Sequence, residues 1–280
     1  MQRLLLLFVF TLFIDFAYTQ ELTNHEKDSL WIIINEESIE PDKVLHAEPL
    51  YIDLIRDLGA RKGEKEWNIG YGLTDFDSYD EYELLVEYEF AVIDRLGLEF
   101  EIPVFFYNSQ TGDLKPDNKI ESLKMAAQWS FYVNQKSSTS MALGYMNEFL
   151  MYPFNQISDK GLFEGNLFNP FFVAAKRWGS HYHTLIYTGP QFTYHFASSD
   201  WDFEYEMHLN FHYMVPGTGN FLGIEYNQYF SGEEYSGVLR PQARVDINEH
   251  LLLGFVTGIP LDRTEERLSF FMRIIYEPDF

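Results

Sequence analysis

The 280-residue sequence contains no cysteine. A disulfide scaffold, a thiolate metal site and a cysteine nucleophile are therefore excluded. Basic residues are scarce: 20 Lys and Arg stand against 43 Asp and Glu, a formal net charge of -23. That balance argues against binding nucleic-acid phosphates, which takes Lys/Arg patches. It favours solubility, cation attraction or an acidic lumen. Beyond the first twenty residues no run approaches the roughly 18 consecutive apolar residues of a membrane-spanning helix. If the chain crosses a membrane it must do so as a closed barrel, because lipid leaves no other way to satisfy every backbone group. There is no fixed-period repeat, no low-complexity tract and no Gly-x-Ser-x-Gly elbow. The length suits one or two domains, and large β-barrels of this length form one.

Residues 1–19 read as a secretory signal peptide. Arg3 is a short basic n-region, and Leu4 to Ile14 is an apolar run broken only by Thr11. Ala17-Tyr18-Thr19 places small residues at the cleavage spacing, so the cut is expected near Thr19 or Gln20. Asp15 and the shortness of the run oppose the alternative, an uncleaved anchor.

Residues 20–65 form a separate N-terminal periplasmic or plug segment. Ser29 to Ile34 reads as a small strand or docking stretch. Leu50, Leu54 and Leu58, with Tyr51 and Ile55 beside them, recur at helical spacing, and Pro49 and Gly59 suit a helix start and end. Ala60 to Glu66 is charged and reads as a linker.

From Trp67 onward the pattern changes to period two. Successive strand side chains point to opposite faces, and about twelve strands follow from it, with ten to fourteen open. They are expected near 66–74, 82–93, 97–107, 119–133, 139–151, 167–178, 182–196, 202–215, 220–230, 236–247, 250–260 and 267–280. In the second, Tyr82, Leu84, Val86, Tyr88 and Phe90 oppose Glu83, Glu87 and Glu89. In the eighth, Phe203 to Val215 is an unbroken apolar stripe opposite Asp202, Glu204, Glu206, His208 and His212. Tight turns at 94–97, 179–181, 216–219 and 248–249 alternate with longer linkers, of which 108–118 and 152–166 stand out. Short turns on the periplasmic side are the habit of outer-membrane barrels. A strand of about ten residues at about 3.3 Å each, tilted by about 45°, covers about 23 Å, close to the apolar band of such a barrel.

Alternation alone suits a soluble sandwich or lipocalin-like barrel equally well. Three features favour the membrane. The acidic rows are dense, the apolar rows persist through nearly every strand, and Trp67, Tyr107, Tyr152, Trp178, Trp201 and Tyr235 fall near strand ends as interfacial girdles do. The expected fold is thus an all-β, antiparallel transmembrane β-barrel over residues 66–280 with a short N-terminal helical segment. Pro103, Pro170, Pro190 and Pro241 oppose it, since each removes a ladder donor. If two of those runs are loops, the count falls to ten. The chain ends on an aromatic, resembling the closing strand of bacterial outer-membrane barrels. Phe270, Met272, Ile274, Tyr276 and Phe280 are expected to face lipid, with strand 267–280 sealing against 66–74.

The string His46-Ala47-Glu48-Pro49-Leu50-Tyr51-Ile52-Asp53, followed by Arg56-Asp57-Leu58-Gly59, resembles the bacterial family named after it, the HAEPLYID family. The barrel region is more loosely similar to the broad group of outer-membrane proteins assigned to phenol-degradation transport. The resemblance implies a secreted Gram-negative β-barrel, located in the outer membrane. Its partners would be outer-membrane lipid and lipopolysaccharide, the barrel-assembly machinery through the C-terminal strand, and small solutes.

The candidate lumen and selectivity residues are Glu83, Glu87, Glu99 and Glu101 with Asp202, Glu204, Glu206, His208 and His212. Arg240, Arg244 and Arg273 are the basic candidates, since rings of charged side chains set pore selectivity. Lumen ion pairing without transport is the alternative. His and carboxylates on one wall could also hold a metal or handle protons. One strand rarely completes a coordination sphere, so a hydrated network is preferred and no metal or cofactor is assigned. The family string contributes His46, Glu48, Pro49, Tyr51, Asp53, Arg56 and Asp57, either as a plug or handle or as a helix lying across the barrel floor. The expected activity is a channel or transporter. A non-transporting structural or binding barrel is the alternative, and an outer-membrane hydrolase using His208 or His212 is a more remote one.

Overall fold

A computed structural model describes residues 22–37, 40–52, 54–109, 115–264 and 266–278, without the side chains of residues 35 and 37. The residues expected to be a signal peptide, 1–19, together with Asp53 and the terminal Phe280, lie outside the described residues.

Helix α1 spans Asn24–Ile32. Its start is a capping box: the Thr23 hydroxyl accepts from the Glu26 N–H at 3.3 Å, and the Glu26 carboxylate accepts from the Thr23 N–H at 2.7 Å. A π turn, Ile33–Glu37, continues it. The stretch Ser29–Ile34, expected as a strand or docking piece, is thus helical, because the cap ahead of it sets the register.

The helix expected over 50–58 does not form: residues 50–52 and 54–58 are irregular. Leu50, Leu54 and Leu58 are all buried nonetheless. Helical backbone would consume its own N–H groups; here barrel side chains take them instead. Gly59, at φ +92, makes the turn that a β-carbon would strain.

Twelve strands close into an antiparallel barrel. They are β1 Lys65–Phe76, β2 Asp80–Ile93, β3 Leu96–Asn108, β4 Ser122–Asn134, β5 Thr139–Met151 and β6 Phe163–Trp178. Then follow β7 Tyr182–His195, β8 Asp200–Met214, β9 Phe221–Ser231, β10 Glu234–Asn248, β11 Leu251–Pro260 and β12 Glu266–Tyr276. A two-residue piece, Lys119–Ile120, pairs with β3 just ahead of β4. The one-turn helix α2, Ile157–Lys160, sits in the β5–β6 loop. Each strand pairs with its chain neighbour, and β12 closes on β1 with Trp67 opposite Tyr276 and Gly70 opposite Arg273. The connections at 94–95, 135–138, 179–181, 215–220 and 249–250 lie at the end where β1 begins; the longer 109–121 and 152–162 lie at the other.

The four prolines sit inside strands, and each faces a local break in one ladder. The register between β6 and β7 jumps from Phe168–Phe192 to Phe172–Thr188, and that single gap takes both Pro170 and Pro190. Between β10 and β11 the pairing skips Arg240 and Pro241. Pro103 lies where β3 leaves β4, and its carbonyl accepts from the Glu121 N–H at 2.9 Å. The missing donors are therefore placed where no ladder bond is made.

Sidedness follows the parity of the strands. Phe203, Leu209 and Phe211 of β8 face outward, Phe203 being 53% exposed, whereas His208 and His212 are 0% exposed. Phe270 and Tyr276 of β12 face outward and Arg273 inward. An apolar exterior around a polar interior is the sidedness of a membrane barrel. No helix among the described residues is long and apolar enough to cross a membrane.

The interior is not all polar. Leu54, Ile55 and Leu58 pack with Ala142, Phe171, Val173 and Leu185. Ala47 and Leu50 pack with Leu85, Phe221, Val256, Phe271 and Ile275. Inward apolar side chains on several strands are thus matched to the segment within. Gly254 permits one close approach, since a β-carbon there would come 2.7 Å from the Leu50 side chain.

Candidate functional site

The candidate site is the barrel interior together with the segment of residues 43–60 that crosses it. Among the described residues, five backbone N–H groups of that segment donate to side chains of the wall. Ala47 donates to His183 Nδ1 at 2.6 Å, Leu50 to Gln242 at 2.7 Å and Ile52 to Glu225 at 3.1 Å. Arg56 donates to Glu89 at 2.7 Å and Gly59 to the Ser130 hydroxyl at 2.9 Å. Gln128 returns the pattern, donating to the Arg56 carbonyl at 2.8 Å. A buried irregular backbone needs such partners, because an unpaired group inside costs about as much as a lost hydrogen bond.

The family string makes many of these contacts. The His46 ring meets the Ser140 hydroxyl at 3.0 Å. Pro49 is buried. The guanidinium of Arg240 lies 3.3 Å from the centre of the Tyr51 ring, a cation–π stack between segment and wall. Arg56 is ion-paired with Glu66 and Asp57, and Asp57 with Lys43. Electrostatics follow the partners. Burial alone would raise the Asp57 carboxyl, but Lys43 and Arg56 hold it well below its ordinary range. Burial, then Asp57, pushes Glu48 well above that range. Burial, with His183 and Arg177 nearby, keeps His46 well below its ordinary value.

The remaining candidates divide. Glu87, Glu99, Glu101, Glu206, His208, His212, Arg240 and Arg273 are buried on the inner face, and Glu83 is half-buried there. Glu206 bonds His208 at 2.9 Å, His208 meets Asn227 at 3.0 Å, and Asn227 donates to Glu225 at 2.7 Å. Gln242 links Glu225 to His212, at 3.3 and 3.2 Å. Arg240 donates to Asn227 at 2.8 Å. Arg244 does not join this network: it donates to the Gly219 carbonyl at the turn end, at 3.0 Å. Asp202 is also elsewhere, its side chain 76% exposed and paired with His195 near the opposite rim. Glu204, next on the same face of β8, is half-buried. The difference has a simple cause: strand parity gives the face, whereas depth depends on how far the strand runs beyond the lumen.

Asn68, Gln128, His183, Glu225, Asn227 and Gln242 were not singled out in the sequence. Their signal was their parity, which places each on the inner face of a strand. Nothing in the chain before folding says that they meet residues 47–59.

Two cavities flank the segment. One, of about 650 Å³, lies towards the β1-start end and is lined by Lys43, Arg56, Glu64, Glu66, Arg244 and Glu277 among others. The second, of about 230 Å³, lies on the other side and includes Glu83, Glu99, Glu101, Lys124, Glu148 and Glu206. Helix α1 covers the β1-start end, with Asp28 accepting from the Gly217 N–H at 3.0 Å and meeting His181 at 3.0 Å. Glu36 pairs with Arg177 there.

His208 bonds Glu206 and Asn227, and His212 meets Gln242. His46 and Ser140 form a serine–histidine pair, and among the described residues His46 Nδ1 has no hydrogen-bond partner that could serve as the orienting acid of a triad.

The HAEPLYID-like family profile matches residues 42–277. Among curated proteins none matches. Solved structures share the fold at low identity. The COG4313 outer membrane channel from Pseudomonas putida F1 has 14% identity and a TM-score of 0.66, over 79% of this chain and 98% of that one. The KdgM porin has 13% identity and a TM-score of 0.52, over 76% and 99%. The NanC porin has 8% identity and a TM-score of 0.54, over 76% and 100%. The fold is that of outer-membrane channel barrels, and the chain belongs to the HAEPLYID-like family.

Proposed function

We propose that this member of the HAEPLYID-like family is an outer-membrane channel for small cationic or neutral solutes, held closed by its own residues 43–60. The observation that carries the reading is the acidic cavity within a closed barrel whose exterior is apolar. The KdgM porin has been solved in complex with disordered oligogalacturonate. Here Glu83, Glu99, Glu101, Glu148 and Glu206 outnumber Lys124 and Arg273 along the cavity, which disfavours an anion and favours a cation.

In this reading the signal peptide exports the chain and the C-terminal strand engages the assembly machinery. The outward rows then contact lipid and lipopolysaccharide. The β1-start end, with its short turns and helix α1, is periplasmic. The test is conductance in planar bilayers. The full chain is expected to conduct weakly, and a variant lacking residues 42–60 to conduct strongly, with a reversal potential of cation-selective sign in a salt gradient. If neither form conducts, the channel reading fails.

The filled lumen favours a second reading, a barrel that does not transport but binds a partner through residues 21–65. A full chain silent under all voltages and solutes, beside a conducting deletion variant, supports it.

A further inference from the structure

Two rungs of the wall carry an unusual composition. Glu66 of β1 is opposite Glu89 of β2, which is opposite Glu99 of β3. One rung along, Asn68 is opposite Glu87, which is opposite Glu101. All six are buried, Asn68 and Glu87 completely. Directly opposed side chains have β-carbons about 4.5–5.5 Å apart, and like charges so placed repel. Among the described residues three cationic side chains reach this patch. Arg56 pairs with Glu66 and lies 3.8 Å from Glu89, Lys124 is 2.6 Å from Glu101, and Arg273 is 3.5 Å from Glu87. Five carboxylates therefore face three cations.

We propose that Glu87, Glu89 and Glu99 form a binding site for one divalent cation, with Asn68 as a neutral fourth ligand. One oxygen from each of the three glutamates lies within 4.8 Å of the others. Oxygens so spaced fit around a single ion at the 2.3–2.6 Å of calcium more easily than at the 2.0–2.1 Å of magnesium. The independent observation is Asn68. Its amide end is aimed at the cluster, Nδ2 donating to Glu87 at 2.7 Å and to Glu89 at 3.2 Å, while the buried Oδ1 has no hydrogen-bond partner among the described residues. Turning that amide over exchanges the two atoms, and presents Oδ1 to an ion between the carboxylates. Glu99 lines the smaller cavity, and Glu66 and Arg56 the larger, so the site lies in the wall between them. Glu89 also holds the Arg56 N–H, which ties the ion to the seat of the crossing segment.

The proposal does not depend on conductance and is tested without it. The full chain in detergent, stripped with chelator, is titrated with calcium chloride by calorimetry and melted in parallel. One calcium per chain is expected, with a dissociation constant at or below about 1 mM and a raised Tm, magnesium binding more weakly. Glu99→Gln should weaken calcium binding by about tenfold or more without lowering the Tm measured in chelator. Glu204→Gln, on another wall, should leave calcium affinity unchanged. Glu87→Gln is the second variant should Glu99→Gln fail to fold. Absence of saturable calcium binding, or equal affinity in both glutamate variants, would overturn the site. A Tm that follows pH but not calcium would also overturn it, as the carboxylates would then share a proton instead.

Discussion

Single residues of the crossing segment carry the contacts that hold it. Leu50, 2% exposed between Val256, Phe271 and the backbone of Gly254, is one anchor. Truncating such a side chain costs about 2–5 kcal/mol. Leu50→Ala is therefore expected to lower the denaturant midpoint well below that of Leu209→Ala, whose side chain faces outward. His46 allows a pH test. Its folded-state pKa lies well below 6.5 because it is buried near His183 and Arg177. The unfolded state then binds the extra proton as pH falls through about 6.5, so this residue's contribution to stability is lost on acidification. Between pH 7.5 and 5.5 the wild type should lose more stability than His46→Gln, as read by unfolding midpoints. Equal losses would mean that His46 does not carry this term. Glu48 acts in the opposite sense, its raised carboxyl favouring the folded state at lower pH, which is why the comparison with the variant is needed.

At the scale of the element, the segment of residues 43–60 shows where local pattern and tertiary context part. Leu50, Leu54 and Leu58 have helical spacing, with Pro49 and Gly59 at helix-like ends, yet the chain is irregular. Propensity is a weak prior; five wall acceptors positioned along the lumen outbid it. The strands were legible because alternation is set by local geometry and survives in every environment. The prolines were legible as obstacles but not as solutions, since which ladder breaks at Pro170 and Pro190 depends on the neighbour across the sheet. A variant without residues 42–60 should still give a heat-modifiable, folded barrel, with a lower Tm because Phe171, Phe221 and Phe271 lose their packing partners. Loss of the barrel itself would show that the segment is needed for closure.

For the molecule as a whole, the net charge of -23 has an address. Part of the excess acid lies on the inner wall, where Glu66, Glu87, Glu89, Glu99, Glu101, Glu206 and Glu225 are buried. Some of it is occupied in holding the crossing segment, as Glu89 and Glu225 are. Removing the segment frees those carboxylates, so the deletion variant should be more cation-selective than a neutral pore of the same width. Reversal potentials across a salt gradient measure this directly.

By itself the sequence determined a barrel of about twelve strands, ten to fourteen being open, which face of each strand is apolar, the sealing of the last strand against the first, and the exclusion of thiol chemistry. Those features are local or compositional: period two is written into each strand, and a closed barrel is the arrangement that satisfies all its edges in lipid. Only the tertiary structure decided that residues 43–60 run through the lumen, that Asp202 and Arg244 lie away from its polar network, and that three glutamates meet beside Asn68. These depend on register between strands and on contacts such as Leu50 to Gln242, 192 residues apart. Parity says which way a side chain points, but not what it meets there.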